Sequence, residues 1–567
     1  TPLYSSAASD VYKRQHKDNK IALIFRGENG ARQQLTYAKL YKRVAGLAAG
    51  LRKQGVTAGD RVAAMMPNCI ETIIGMLATT SIGAIWSSCS PDFGVQGVLD
   101  RFGQIEPKVL ITVDGYFYNG KNLNIKDKTA DIVEKIPSIE RTVIVNFSDQ
   151  QETFTGDNVV SWDDFSDSSA TQIEFVERNF NDPLYIMFSS GTTGVPKCIV
   201  HGTGGTLLQH LKEHGLHTDL DTEDNLFYFT TCGWMMWNWL VSGLAVGATL
   251  TLFDGSPFAP EPEFLWDVAD EEGITVFGTS AKYLAALEKA GVKPRESHQL
   301  EKLRSILTTG SVLPPESFDY VYRDIKKDLC LSSISGGTDI ISCFALGCPI
   351  LPVYRGELQC RGLGLAVNIY DDNGAPIRGE KGELVCEKSF PCMPVSFWGD
   401  DNGERYFNAY FARFDNTWAH GDFAELTEHN GVIIHGRSDA VLNPGGVRIG
   451  TAEIYRQVEK VDQVLESIAI GQQYDGDERV VLFVKLREGI ELTDELKQTI
   501  AKTIRANATP RHVPAVILQV DDIPRTISGK IVELAVRNVV HGEPVKNTDA
   551  LANPEALEYF RDREELR

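Results

Sequence analysis

Along this chain, short apolar runs alternate with longer stretches of helical spacing. The runs RVAAMMP, GAIWSSCS, KVLITVD, PLYIMFSS, NLFYFTT, ATLTLFDG, GITVFGTS and LRSILTTGS all have strand length. Glycine and proline punctuate most of their ends, as turns require. Helical stretches such as YAKLYKRVAGLAAGLRKQG and PEFLWDVADEEG lie between them. Strands separated by helices predict layered α/β subdomains with mostly parallel sheets, from about Ile21 to Gly436. TIIGMLATTSIGAIWSSC is interrupted by Thr, Ser and Gly, so it predicts a buried helix and strand rather than a membrane span.

The texture changes from about Val441. VEKVDQVLESIAIG, RVVLFVKLREG, the helical DELKQTIAKTIRANAT and AVILQVDD predict a compact α+β unit. HGRSDAVLNPGGVRIG joins the two parts, and its glycine and proline content suits a hinge. The expected layout is a large domain over 16–437, a hinge at 438–440 and a small mobile α+β domain over 441–567. Residues 1–15 show no period and are set aside as non-native or disordered. No repeat of domain-building length is present.

A length of 567 residues exceeds what one hydrophobic core supports, in line with several domains. The net charge of -21 argues against nucleic acid or anionic membrane as partners. Polyphosphate binding would then rest on local cations, backbone N–H groups and a metal ion. Ten scattered cysteines form no CxxC pair, which predicts free thiols in the cytoplasm.

The densest chemical signal is SSGTTGVPK, comprising Ser189, Ser190, Gly191, Thr192, Thr193, Gly194 and, after Val195 and Pro196, Lys197. A Walker loop needs the lysine directly after the second glycine and a hydroxyl after it; here Val195 and Pro196 intervene and Cys198 follows. The spacing also fails the Rossmann GxGxxG. A strand followed by a loop of hydroxyls and amides can still wrap a pyrophosphate. His210, His214 and His217 fall at i, i+4 and i+7 on one helix face. Zinc ligation is set aside there in favour of packing, because Glu213 is misplaced for HExxH.

SSGTTGVPK resembles the signature loop of the adenylate-forming superfamily, and four further segments match that family in order: SGGTDI, AHGDFAEL, HGRSDAVLNPGGVRIG and PRTISGK. The resemblance covers the chain from about Leu35 to its end. It implies ATP contacts from the loop, from Gly310 and Ser311 in TTGSV, and from Gly337 and Thr338. It further implies Asp422 on the ribose, with Arg437 and Arg448 as cations on the ribose and phosphate side. Asp339 stands where the family has Glu and is expected to hold Mg²⁺, though the usual aromatic residue is missing. Asp439 is the implied pivot and Lys530 the implied catalytic residue.

SSCSPDFGVQGVLDRFGQIEPKVL, DGYFYNGK and TTCGWMMWNWL resemble the short-chain acyl-CoA synthetases, those acting on acetoacetate most. The implied acyl pocket holds Trp234, Met235, Asn238 and Gly336. Gly336 stands where acetate-specific relatives have a tryptophan, so a Gly336→Trp change is expected to favour acetate. Coenzyme A is the implied thiol, with Gly445, Gly446, Lys121 and Arg505 as its contacts. The chain is expected to act as a monomer or homodimer. The implied chemistry is attack of a carboxylate on the α-phosphorus, then attack of a thiol on the acyl-adenylate. Cations positioned on the phosphates stabilise the first step without a protein nucleophile. Another short-chain acid, a carrier-loading adenylation enzyme and a non-catalytic nucleotide-binding protein stay open as alternatives.

Overall fold

The computed structural model describes residues 19–148, 154–189, 196–310, 312–458, 460–525, 531–545 and 551–567. All eight apolar runs form strands of two sheets. One sheet runs Ser396–Phe397, Lys197–Gly202, Pro183–Ser189, Ile85–Cys89, Arg61–Met65, Val109–Val113, Arg141–Val145, Val159–Ser161. The other runs Cys330–Ser333, Ser305–Thr309, Val276–Ser280, Asn225–Tyr228, Thr249–Asp254, Ile21–Gly27, Arg32–Thr36. Pairing is parallel except at one end of each sheet, where hairpin-like partners run antiparallel.

The helix Ile70–Ser81 buries every residue but Glu71. A helix covered on all sides has neighbours on all sides, and its apolar residues join both sheets in one core. Helix Tyr37–Lys53 packs beside it and starts at Thr36, whose hydroxyl accepts from the Lys39 N–H. No helix among the described residues is long and apolar enough to cross a membrane.

Parallel pairing brings strand ends together. Cys89 and Ser189 end strands of one sheet; Thr309 and Ser333 end strands of the other. The crevice beyond such carboxyl ends is where open α/β sheets take their ligands. An antiparallel sheet, Val367–Tyr370, Gly382–Cys386, Trp418–Leu426 and Val432–Arg437, flanks it and sets Asp422 opposite Arg437.

From Leu442 onward the chain has cores of its own. They form on strands Val464–Tyr474, Asp477–Leu486 and Val516–Gln519 and helices Thr451–Val458, Asp494–Asn507 and Glu533–Val540. This unit docks closely on the first. The Gly94 N–H donates to the Ala508 carbonyl at 2.8 Å, and a Cβ on Gly94 would lie 2.6 Å from the Ala506 oxygen.

Candidate active site

A cleft opens between the strand ends and the C-terminal unit. Ser88, Cys89, Ser189, Thr231, Thr309, Gly310 and Ser333 line it from the strand ends. Hydroxyls and backbone groups gather there because the strands ending at Cys89, Ser189, Thr309 and Ser333 stop at this edge. Trp234 and Met235 line it from the start of the helix Met235–Val241, and Gly336, Gly337 and Thr338 from a short strand and turn. The C-terminal side contributes Asn443, Gly446, Val447, Arg448 and Arg511.

The loop Asn443–Arg448 enters the cleft. Asn443 Nδ2 donates to the Gly310 carbonyl at 3.2 Å. A Cβ on Gly446 would lie 2.2 Å from Gly310 Cα, so only glycine allows this approach. Gly445 and Gly446 also have positive φ, 57° and 78°. The loop is held from behind by the small unit's own sheet. The Gly445 N–H donates to Asp477 at 3.2 Å and the Asn443 N–H to Glu478. Burial pushes the Glu478 carboxyl up to about 7.

Two charge clusters flank the cleft. In the first, Lys197 donates to Asp339 Oδ1 at 2.8 Å, the Tyr410 hydroxyl donates to the same oxygen at 2.7 Å, and Arg448 donates to Oδ2. Burial would raise this carboxyl, but the charges of Lys197 and Arg448 prevail and hold it well below the usual range. Burial lowers the neighbouring His420 to about 4, so at neutral pH its Nε2 can accept from Arg448 Nη2 at 3.0 Å. In the second cluster, Arg437 donates to Asp422 Oδ1 at 2.7 Å and to Asp439 Oδ1 at 3.0 Å.

The geometry revises several expectations. Asp339 lies beside the motif threonine, and in this arrangement its oxygens accept from Lys197, Tyr410 and Arg448. No group of three His, Cys, Asp or Glu among the described residues fits a metal. Lys197 is tied to Asp339 instead of presenting its charge to the cleft. Gly336 lines the cleft, yet a Cβ there would lie 2.0 Å from the Ser342 carbonyl. The glycine serves the adjacent strand's backbone, and a tryptophan could not simply fill the pocket. Asn238 faces a separate small cavity behind the cleft. Lys121, in the hairpin Gly115–Tyr118 and Lys121–Asn124, and Arg505, on helix Asp494–Asn507, are exposed and do not line the cleft.

Besides Arg437 and Arg448, two further arginines line it: Arg101 and Arg511. Nothing in the sequence marked Arg511, while Arg101 sits on a helix face whose buried side only the docked small unit reveals. Ser190, Gly191, Thr192, Thr193, Gly194, Ser311 and Lys530 lie outside the described residues. Arg525 and Ile531, which flank the Lys530 segment, pair with each other and do not line the cleft. The three helical histidines make internal hydrogen bonds: His210 with Ser242 and Ile341, His214 with Trp239, His217 with Gly347.

The AMP-binding enzyme family matches residues 10–391, and the AMP-binding enzyme C-terminal domain matches residues 453–530. An acetoacetyl-coenzyme A synthetase of Rhizobium meliloti is 60% identical over 549 residues, covering 96% of this chain and 84% of that protein. The acetoacetyl-CoA synthetase of Mus musculus is 48% identical over 563 residues, covering 97% and 84%. The solved structure of acetoacetyl-CoA synthetase from Streptomyces lividans superposes with a TM-score of 0.76 at 41% identity, covering 99% of this chain and 86% of that one.

Proposed function

The chain belongs to the AMP-binding enzyme family, and from that premise we propose that it ligates acetoacetate to coenzyme A with ATP, through an acyl-adenylate. The observation that carries this reading is the meeting of Gly310, Thr338, Asp422 and the Asn443–Arg448 loop in one cleft. Relatives that carry the name acetoacetyl-CoA synthetase and span nearly all of this chain support the acid.

In the first half-reaction a substrate carboxylate oxygen forms a bond to the α-phosphorus and pyrophosphate leaves. The backbone at Gly337 and the Thr338 hydroxyl suit contact with the phosphate, and Asp422 suits acceptance from ribose hydroxyls. In the second, the thiol sulfur bonds to the acyl carbon, its proton is lost and AMP leaves. Arg448 offers a cation to the departing phosphate. Both halves use one cleft, and its closure shields the adenylate from water.

The arrangement described here supports the thiol-transfer half. The 443–448 loop occupies the cleft edge, whereas Arg525 and Ile531 stand away from it. Adenylation then requires the small unit to turn about Asp439 and bring Lys530 to the α-phosphate. Lys530→Ala should abolish adenylation and spare thioester formation from supplied acyl-adenylate; equal loss of both halves would refute this division. The ten unpaired cysteines support the cytoplasm as the working compartment.

Pyrophosphate release across acetoacetate, acetate, propionate and butyrate tests the substrate. Acetoacetate should lead, and AMP release should need free coenzyme A. Comparable rates for all four acids would replace this reading with a general short-chain ligase.

A further inference from the structure

A groove of about 260 Å³ opens at the surface and shares no lining residue with the cleft. Its position follows from strand pairing. Cys386 ends one strand, Trp418 begins the antiparallel neighbour, and the two are register partners. The helix Glu404–Tyr410 packs against the second of these strands. Phe407 and Phe411 stand one turn apart there, and the Phe411 N–H donates to the Phe407 carbonyl at 2.8 Å. Their rings lie 6.4 Å apart, and Phe411 meets Trp418 edge-on at 5.9 Å. With Met393 these rings form the apolar wall of the groove. Phe407 is nevertheless 56% exposed. Covering such a ring gains roughly 25 cal/mol per Å² of apolar surface.

The rest of the lining is polar: Lys388, Ser389 and Asn416, all exposed. No acid lines the groove, and the Lys388 ammonium makes no hydrogen bond or ion pair among the described residues. On a chain of net charge -21 an anion needs a local cation in order to settle. The groove also touches the active site through its wall. Tyr410 stacks on Trp418 with ring centroids 3.7 Å and planes 13° apart, and its hydroxyl donates to Asp339 Oδ1 at 2.7 Å. An occupant would therefore rest on rings that back the active-site carboxylate.

We propose that this groove is a second ligand site, built for a small amphipathic carboxylate. The apolar tail lies on Phe407, Phe411 and Met393, and the carboxylate meets Lys388. The volume falls just short of the range of drug-sized sites, roughly 300–1,000 Å³, so a short chain suits it better than a nucleotide or a coenzyme. A lysine is a point charge, and a single one matches a monovalent head group better than a dianionic phosphate.

The test is a ligand-observed NMR titration of the whole protein with octanoate and with octan-1-ol, which has the same tail and no charge. Octanoate should bind wild type about three- to fivefold more tightly than the alcohol, the worth of one exposed ion pair. Lys388→Met keeps the apolar stem and should erase that difference. Phe407→Asp should weaken both ligands about tenfold or more, because the wall is lost and a like charge enters. Both side chains are exposed, so each variant should keep the wild-type melting temperature. Equal octanoate affinity in all three proteins would place the ligand elsewhere and overturn the proposal. So would the absence of saturable octanoate binding to wild type, or binding no tighter than that of the alcohol. None of these readouts uses the ligation reaction, so the acetoacetate reading stands or falls separately on pyrophosphate release.

Discussion

Asp339 and Glu453 are both carboxylates buried where the two units meet, and each faces an arginine from the other side. Asp339 belongs to the N-terminal unit and takes Arg448; Glu453 belongs to the C-terminal unit and takes Arg101. Their surroundings differ. Asp339 also holds Lys197 at 2.8 Å and the Tyr410 hydroxyl at 2.7 Å on its own side. Glu453 stands 3.4 Å from Arg101 and 3.4 Å from His512, its neighbour at home. Each therefore has a resident partner and a visiting one. Removing one member of a buried pair is costly because a charge is left behind without compensation. At Asp339 the resident Lys197 avoids that when the units separate. Both arginine contacts, the tight one at Asp339 and the looser one at Glu453, cross between the units and must break when the small unit turns.

The sharpest way to break this comparison is Asp339→Ala, which strands Lys197 and Arg448 together. It should lower stability by about 3–5 kcal/mol and abolish overall synthesis, read by thermal unfolding and thioester formation. Arg448→Ala leaves Asp339 with Lys197, so its stability loss should be smaller, about 1–2 kcal/mol. Its activity loss should still be large, about a hundredfold, because a cation leaves the cleft. Glu453→Gln should slow the coenzyme A-dependent step about tenfold and leave ATP–pyrophosphate exchange unchanged. Equal loss in both halves would mean the looser contact is not specific to this orientation.

Acid sharpens the comparison further. His420 in the fold takes a proton only near 4, against 6.5 when exposed. The unfolded chain thus binds protons that the fold refuses, and stability falls as pH drops from 6.5 towards 4. The Asp339 carboxyl, held low by its cations, adds to the loss at still lower pH. A melting-temperature series over this range should slope downward; burial also lowers His201, His210, His214 and His217, so His420→Asn should reduce the slope only in part. The smallest effects should come from Lys121→Ala and Arg505→Ala, within about twofold in synthesis, since both side chains are exposed and outside the cleft.

The strands were legible because parallel strands buried on both faces must be short apolar runs. The helix Ile70–Ser81 was legible for the same reason. The cleft residues on strand ends and turns, such as Gly310, Thr338 and Asp422, were reached through the resemblance. What escaped were commitments made across the chain. Lys197 reads as a free cation until Asp339, 142 residues away, closes on it. Gly336 reads as an open pocket until Ser342 appears on the next strand. Arg101 and Arg511 come together only through docking of the two units, which no local spacing encodes.

The contact between Gly310 and Gly446 leaves less room than a methyl group needs. That clearance makes Gly446 the position that must stay bare where the loop meets Gly310. A small unit transplanted from another ligase would seat against Gly310 only if it brought its own bare position at 446. Any graft that brings a side chain at 446 would stop short of full engagement, however well each half folds. The compatibility of such hybrids thus turns on a residue with no side chain at all.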